Sequence, residues 1–296
     1  MCTSDLPGSS CTLTHPAPPP AEPAARTFSR RGALLGAAGA AATTALTWGG
    51  ASAAEAAPKG PQGPHGPQRG RSADLTYVLG EDFPAFTPGE EAVRRPFSTI
   101  PANGYYLQQW EIIEHIGTHV DAPAHFAAGG RYSTELRLDE LILPAAVVDI
   151  RAKAARDADA VVTVDDLRAS ERRHGRIPQK ALVIMNSGWG RYVGDPDAYR
   201  GTDAAGVLHF PGFDVDAVEW LIKRRQTRAF GVDTLSLDPG ESSTFAAHHV
   251  SAESDRYNIE NVAHVDRLPA RGARVIVGLI PFKEGSGGQA RVLAEW

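Results

Sequence analysis

Four groups able to bind a metal ion fall within eleven residues of one segment, His115-Ile116-Gly117-Thr118-His119-Val120-Asp121-Ala122-Pro123-Ala124-His125-Phe126. They are His115, His119, Asp121 and His125. Imidazole nitrogens and carboxylate oxygens, with no thiolate among them, suit zinc or manganese and do not separate the two. The spacing of four between the first two histidines invites a helical reading, as in HExxH zinc sites. Gly117, Thr118 and Pro123 are poor helix material. An extended segment accounts for the pattern better, because His119, Asp121 and His125 would share one strand face. Neighbours on such a face lie about 6.6 Å apart, which lets His119 and Asp121 converge on one ion. Fully extended, His115 and His119 would stand about 13 Å apart, too far for a common ion. The backbone must therefore bend between them, and Gly117 is placed to permit it.

A second group of polar residues lies downstream: Asp233 and Asp238 around 230–239, the pair His248-His249, and Glu260 in Asn258-Ile259-Glu260-Asn261. His248 and Glu260 would add one nitrogen and one carboxylate. On spacing alone, the paired histidines read as readily as solvated loop residues, and Glu260 as the exposed start of a helix. Asp233 and Asp238 read as loop residues or as supports behind the ligands. Trp189, after an apolar run, reads as core or as a pocket wall.

The elements that must position these groups follow from apolar patterning. Residues 145–150, 181–185, 229–232 and 273–280 are apolar runs bounded by turn residues and predict buried strands. Residues 213–225 place Val215, Val218, Leu221 and Ile222 at helical spacing behind an aspartate. Residues 164–174 predict a shorter helix that opens on Asp165-Asp166 and stops near Gly175. Helices and strands mix without strict alternation. No GxGxxG follows a strand and there is no P-loop, so no nucleotide site is expected.

The whole chain has 296 residues and a formal charge of -5, which provides no basic field for nucleic acid or for an anionic membrane. Its first quarter reads as an address. Residues 1–25 lack periodicity and are expected to be disordered; 26–56 hold Ser29-Arg30-Arg31, a weakly apolar run and small residues, the pattern of a twin-arginine-type signal. Residues 57–72 read as a Pro/Gly linker, which leaves 73–296 as one domain large enough for a substantial core. The only cysteines, Cys2 and Cys11, precede the expected cleavage, so the exported protein would hold no disulfide.

His115-x-Gly-Thr-His119-x-Asp121-x-Pro123-x-His125-Phe126 resembles the signature of the metal-dependent cyclase family, which includes kynurenine formamidases and isatin hydrolases. The resemblance runs from about Asp74 to the C-terminus, through Gly231-x-Asp-Thr-Leu-Ser-x-Asp238, His248 and Glu260. It implies a mixed α/β domain of the swivelling β/β/α kind, assembled as a homodimer or larger homo-oligomer. It also implies one or two divalent ions, Zn or Mn, on His115, His119, Asp121, His248 and Glu260, with carboxylates shared between them, and acid–base work by His125. An ion so held lowers the pKa of bound water, and the hydroxide can attack an amide or lactam carbonyl. His125 is then the group that gives the departing nitrogen its proton, with His249 as the alternative carrier or an orienting group. In the formamidases a tryptophan precedes a Pro-Gly pair; here Phe86 stands before Thr87-Pro88-Gly89 and takes its place as an aromatic wall. The expected reaction is hydrolysis of an amide or cyclic amide C–N bond in a small molecule. A lactone hydrolase, a cyclase or dehydratase on the same scaffold, and a non-enzymatic metal or ligand binder are the alternatives.

Overall fold

The computed structural model describes residues 70–296. The expectations for a disordered start and an export signal therefore lie outside the described residues, as does most of the linker. The described part of that linker is already in the fold, because Arg71 exchanges backbone hydrogen bonds with Trp296 and the first strand begins at Ser72. In chain order the strands are β1 (Ser72–Asp74), β2 (Val93–Ser98), β3 (Leu107–Glu111), β4 (His119–Asp121), β5 (Ile142–Asp149), β6 (Val161–Val162), β7 (Leu182–Asn186), β8 (Gly212–Phe213), β9 (Ala229–Gly231), β10 (Tyr257–Glu260), β11 (Arg271–Leu279) and β12 (Gly287–Glu295).

Eight of the described strands form one sheet in the order β1-β12-β11-β5-β7-β9-β10-β4. Residues Gly287 to Gln289 of β12 also pair with β4, which closes the sheet on itself. Strands β5, β7, β9 and β10 run parallel, and the remaining ladders of this sheet are antiparallel. Closure makes alternate residues face two different cores. Val120, Leu143, Ala145, Val147, Ile184, Ile259, Val275 and Val292 fill the interior. Ala146, Val148, Val183, Met185 and Phe230 point outward and are covered by Leu167, Val218 and Leu221 of two helices.

Those helices are Val164–His174 and Val215–Arg225, both where the patterning places them. The first starts because the Thr163 hydroxyl accepts from Asp166 N–H while Asp166 accepts from Thr163 N–H, a reciprocal cap. The second begins two residues later than expected, since Asp214 caps it by accepting from Asp216 N–H. The four predicted strands appear as β5, β7, β9 and β11. None of the described helices is long and apolar enough to cross a membrane.

Candidate metal centre

Because Val120 and Ile259 face the interior, their neighbours His119, Asp121 and Glu260 must lie on the outer face of β4 and β10. Register then sets the pairing: Glu260 stands directly across from His119, and Asp121 across from Asn258. The expected bend is present, with Gly117 at φ +71°, a conformation open to glycine. It turns the chain so that His115 lies back over the strand, its Nδ1 2.8 Å from Asp121 Oδ1.

Three expectations from spacing are corrected here. His125 does not share the strand face of His119 and Asp121; the strand ends at Asp121, and Pro123 starts a 3-10 turn, Pro123–His125. That turn carries His125 over the site by another route, and its ring stacks on His115 at 3.8 Å between centroids. His248 and His249 are not loop residues, since both lie on the helix Ala246–Glu253. The helix packs over β10, so His248 turns inward and is buried, while His249 is half exposed, its ring edge-on to Phe126 at 5.2 Å between centroids. Glu260 likewise does not begin a helix; it ends β10 and is buried.

The inward groups converge closely. His119 Nε2 is 3.2 Å from Asp121 Oδ1 and 3.4 Å from Glu260 Oε2. His248 Nε2 is 3.0 Å from Glu260 Oε1 and 3.3 Å from Asp121 Oδ2. Donor atoms bound to one ion at about 2.1 Å lie about 3 Å from one another, so these separations suit shared coordination. Two overlapping groups can be drawn, one of His119, Asp121 and Glu260 and the other of His115, Asp121 and His125. Asp121 belongs to both, which is the placement a carboxylate shared between two ions requires.

The neighbours of each ring indicate which nitrogen is free. His119 donates through Nδ1 to the Gly117 carbonyl at 2.9 Å, and the same oxygen accepts from Asn261 Nδ2. His248 donates through Nδ1 to Asp238 Oδ2 at 2.7 Å. In both rings the inward Nε2 is thereby left as a lone pair. His119 Nε2 and Asp121 Oδ2 are buried with no hydrogen-bond partner, an arrangement that a cation completes. The titration of the site points the same way. Burial opposes charge on His119, but Asp121 and Glu260 outweigh it and push its pKa up to about 10. Burial likewise opposes charge on His248, and the contacts with Asp121, Asp238 and Glu260 drive it well up. Asp121, despite burial, is held well below the usual carboxylate range by His115, His119 and His248. The carboxylates demand positive charge, and a divalent ion can supply it in place of ring protons.

Asp238 does more than orient one ring. Its oxygens accept the N–H groups of Ala247 at 2.9 Å and His248 at 3.0 Å, capping the helix that carries the ligand. Asp233 serves a different loop. It accepts from the N–H groups of Ser187, Gly188 and Trp189 and from the Ser187 hydroxyl, and burial raises its pKa. Trp189 is core, with its indole N–H donated to the Tyr199 carbonyl.

Aromatic rings border the cluster. Phe126 lies 4.5 Å from the His248 ring, and Phe245 lies 5.6 Å from Phe126. Phe86 is 6.2 Å from Phe245 and so belongs to the same wall, one ring further out. Phe245 holds φ +49°, a strained conformation for a bulky residue, at the entry to the ligand-bearing helix. Spacing did not single out Phe245, because its role depends on a backbone state that composition does not encode. His125 opens to solvent beside these rings, and desolvation holds its pKa below the ordinary histidine value against the pull of Asp121. A separate cavity of about 470 Å³, bordered by Tyr77, Arg151, Asn186, Arg191 and Asp233, contains none of the converging ligands.

A closed mixed sheet bearing a His/Asp/Glu cluster on its outer face defines a metal-dependent enzyme scaffold. The chain belongs to the Cyclase family, whose model matches residues 73–239. Among its relatives is an isatin hydrolase of Roseibium aggregatum, 31% identical over 75% of this chain and 90% of that protein. A kynurenine formamidase of Bordetella avium is 27% identical over 64% of this chain and 81% of that protein. The fold superposes on isatin hydrolase A from Ralstonia solanacearum with a TM-score of 0.72 at 32% identity, covering 76% of this chain and 92% of that one.

Proposed function

We propose that this protein is a metal-dependent hydrolase of a non-peptide C–N bond, in an amide or cyclic amide of a small, flat molecule. The observation that carries this reading is the convergence of buried, unpartnered His119 Nε2 and Asp121 Oδ2 with His248 and Glu260 beneath an exposed His125. Similarity to isatin hydrolases and kynurenine formamidases supports the bond type. His115, His119, Asp121, His248 and Glu260 would hold one or two ions, zinc or manganese. Such an ion supplies Lewis acidity, lowering the pKa of water and stabilising negative charge on a carbonyl oxygen. The protein's own groups do the rest. Phe126 and Phe245, with Phe86 behind them, orient an aromatic substrate beside the cluster. His125 takes a proton from the attacking water and returns it to the nitrogen as the C–N bond breaks.

The test is turnover of N-formylkynurenine, isatin, simple lactams and simple lactones by metal-stripped protein and by protein reloaded with zinc or manganese. The reading expects hydrolysis of at least one C–N substrate that depends on reloading. Turnover confined to lactones, or unaffected by stripping, contradicts it.

The hairpin of β2 and β3 carries the proposal of a homo-oligomer. Phe97, Tyr105, Tyr106 and Trp110 are 64, 54, 61 and 40% exposed, and a two-stranded ribbon without a packed face is not stable alone. Arg95 and Glu111 pair across it, so the ribbon offers both signs of charge and can meet a second copy of itself. Export by a twin-arginine-type signal is also proposed, on Arg30-Arg31 and the apolar run behind them. Replacing both arginines with lysine should leave the protein in the cytoplasm, and undiminished export would contradict the proposal.

A further inference from the structure

His115 differs from the other two ring ligands in the nitrogen that it turns inward. His119 and His248 present Nε2, whereas His115 presents Nδ1, 2.8 Å from Asp121 Oδ1. Its Nε2 points the other way, 2.9 Å from Ser286 Oγ. Ser286 Oγ is in turn 2.6 Å from Glu114 Oε2, and the same carboxylate oxygen accepts Ser286 N–H at 2.9 Å.

A hydroxyl has a single proton, and a carboxylate oxygen can only accept. The Ser286 proton is therefore committed to Glu114, and Ser286 Oγ must accept from His115 Nε2–H. Asp121 Oδ1 can only accept as well, so at 2.8 Å it calls for a proton on Nδ1. Where a divalent ion would take the place of that proton, the bond to Ser286 leaves the neutral ring as the tautomer with Nδ1 bare and aimed at the ion. On the metal-centre reading, on which this inference rests, we infer that Glu114 and Ser286 are positioning residues. They form a relay that sets the tautomer of His115 and orients it as a ligand.

The surroundings are shaped for this contact. Gln289 Nε2 donates to the Ile113 carbonyl at 2.8 Å and the Glu114 carbonyl at 3.1 Å, pinning the loop before His115 to β12. A Cβ on Gly287 would stand 2.3 Å from the Val120 carbonyl oxygen and 2.7 Å from His115 Cε1, so the ring lies where only glycine leaves room. A Cβ on Gly285 would meet Glu114 Oε1 at 3.0 Å. The run Gly285-Ser286-Gly287 thus seats His115 and Glu114 closely against the start of β12. Strand glycines mark such approaches.

The test is zinc affinity, by competition with a chromophoric chelator, for the parent, Ser286→Ala, Glu114→Ala and Glu114→Gln. The melting temperature of each metal-free form is measured alongside. Removing an outer partner of a metal-bound histidine costs about 10- to 100-fold in affinity. Ser286→Ala and Glu114→Ala should fall in that range with metal-free melting temperatures close to the parent. Glu114→Gln, which keeps an acceptor oxygen at the same place, should bind within about threefold of the parent. Ser286→Ala binding as tightly as the parent overturns the relay and leaves the metal centre standing. Affinity lost only in step with a lowered metal-free melting temperature also overturns it, as it marks a structural role. A parent that binds no zinc or manganese overturns the metal centre itself, and the relay with it.

Discussion

At the residue scale, the site is a set of rings whose free nitrogens are chosen by their neighbours. Gly117 and Asp238 make that choice for His119 and His248. The first motif was legible because His115, His119, Asp121 and His125 are close in sequence and Gly117 supplies the bend between the first two; the turn at Pro123 that brings in His125 was not foreseen. His248 and Glu260 were legible as candidates only. Their convergence depends on β10 pairing with β4, a contact between residues well over a hundred positions apart. Ser286 and Gly287 were not singled out, because patterning did not mark β12, and without that strand start nothing in the sequence says that the glycines flanking Ser286 make room for an approach. Gly287→Ala tests that closeness. The added methyl meets backbone at 2.3 Å as well as the His115 ring, and overpacking of this kind costs about 1–3 kcal/mol. The expected result is a lower melting temperature together with weakened zinc binding. An unchanged protein would show that the ring does not sit where the structure has it.

At the element scale, helix starts were read well because caps are local. Thr163 and Asp166 cap one helix, and Asp214 caps the other. The helix carrying His248 escaped notice for the opposite reason. Its cap is Asp238, nine residues before Ala247, and its first residue is preceded by Phe245 at positive φ, so no local signature marks where it begins. The strand of His119 and Asp121 was legible, but not that it ends before Pro123. The helix Val164–His174 is tied to Val215–Arg225 by Glu171, which accepts from Arg225 Nε and Nη2 at 2.6 Å and from Ile177 N–H at 2.9 Å. The Arg225 bonds hold the Glu171 pKa below its ordinary value. A lowered folded pKa means stability present above the unfolded value, about 4.3, and lost as pH falls through the folded one. Glu171→Gln should cost about 1–3 kcal/mol near neutrality in urea unfolding, with the gap from the parent closing in acid. A gap constant with pH would show that charge on Glu171 contributes nothing.

At the scale of the whole molecule, closure of the sheet explains why the reactive face looks outward. The interior is filled by small and branched apolar side chains, so no room remains there for a ligand. Chemistry is left to the outer face, under the helix Ala246–Glu253 and beside the turn Pro123–His125. The mixed α/β class was legible from the apolar runs, while closure was not, because β12 and its pairing with β4 were not marked by patterning. The same scale sets the oligomer test. Sedimentation should show more than one chain per particle, and Phe97→Glu with Trp110→Glu should lower its mass. A parent that sediments as a monomer contradicts the proposed role of the hairpin.

The central claim is that a metal centre and His125 together break a C–N bond. It is tested most directly by measuring bound zinc and manganese and C–N hydrolysis on the same samples of the parent and His125→Ala. The prediction is metal in both, with turnover in the variant lower by about 10²- to 10⁴-fold. A metal-free parent, or a variant as active as the parent, would contradict the account.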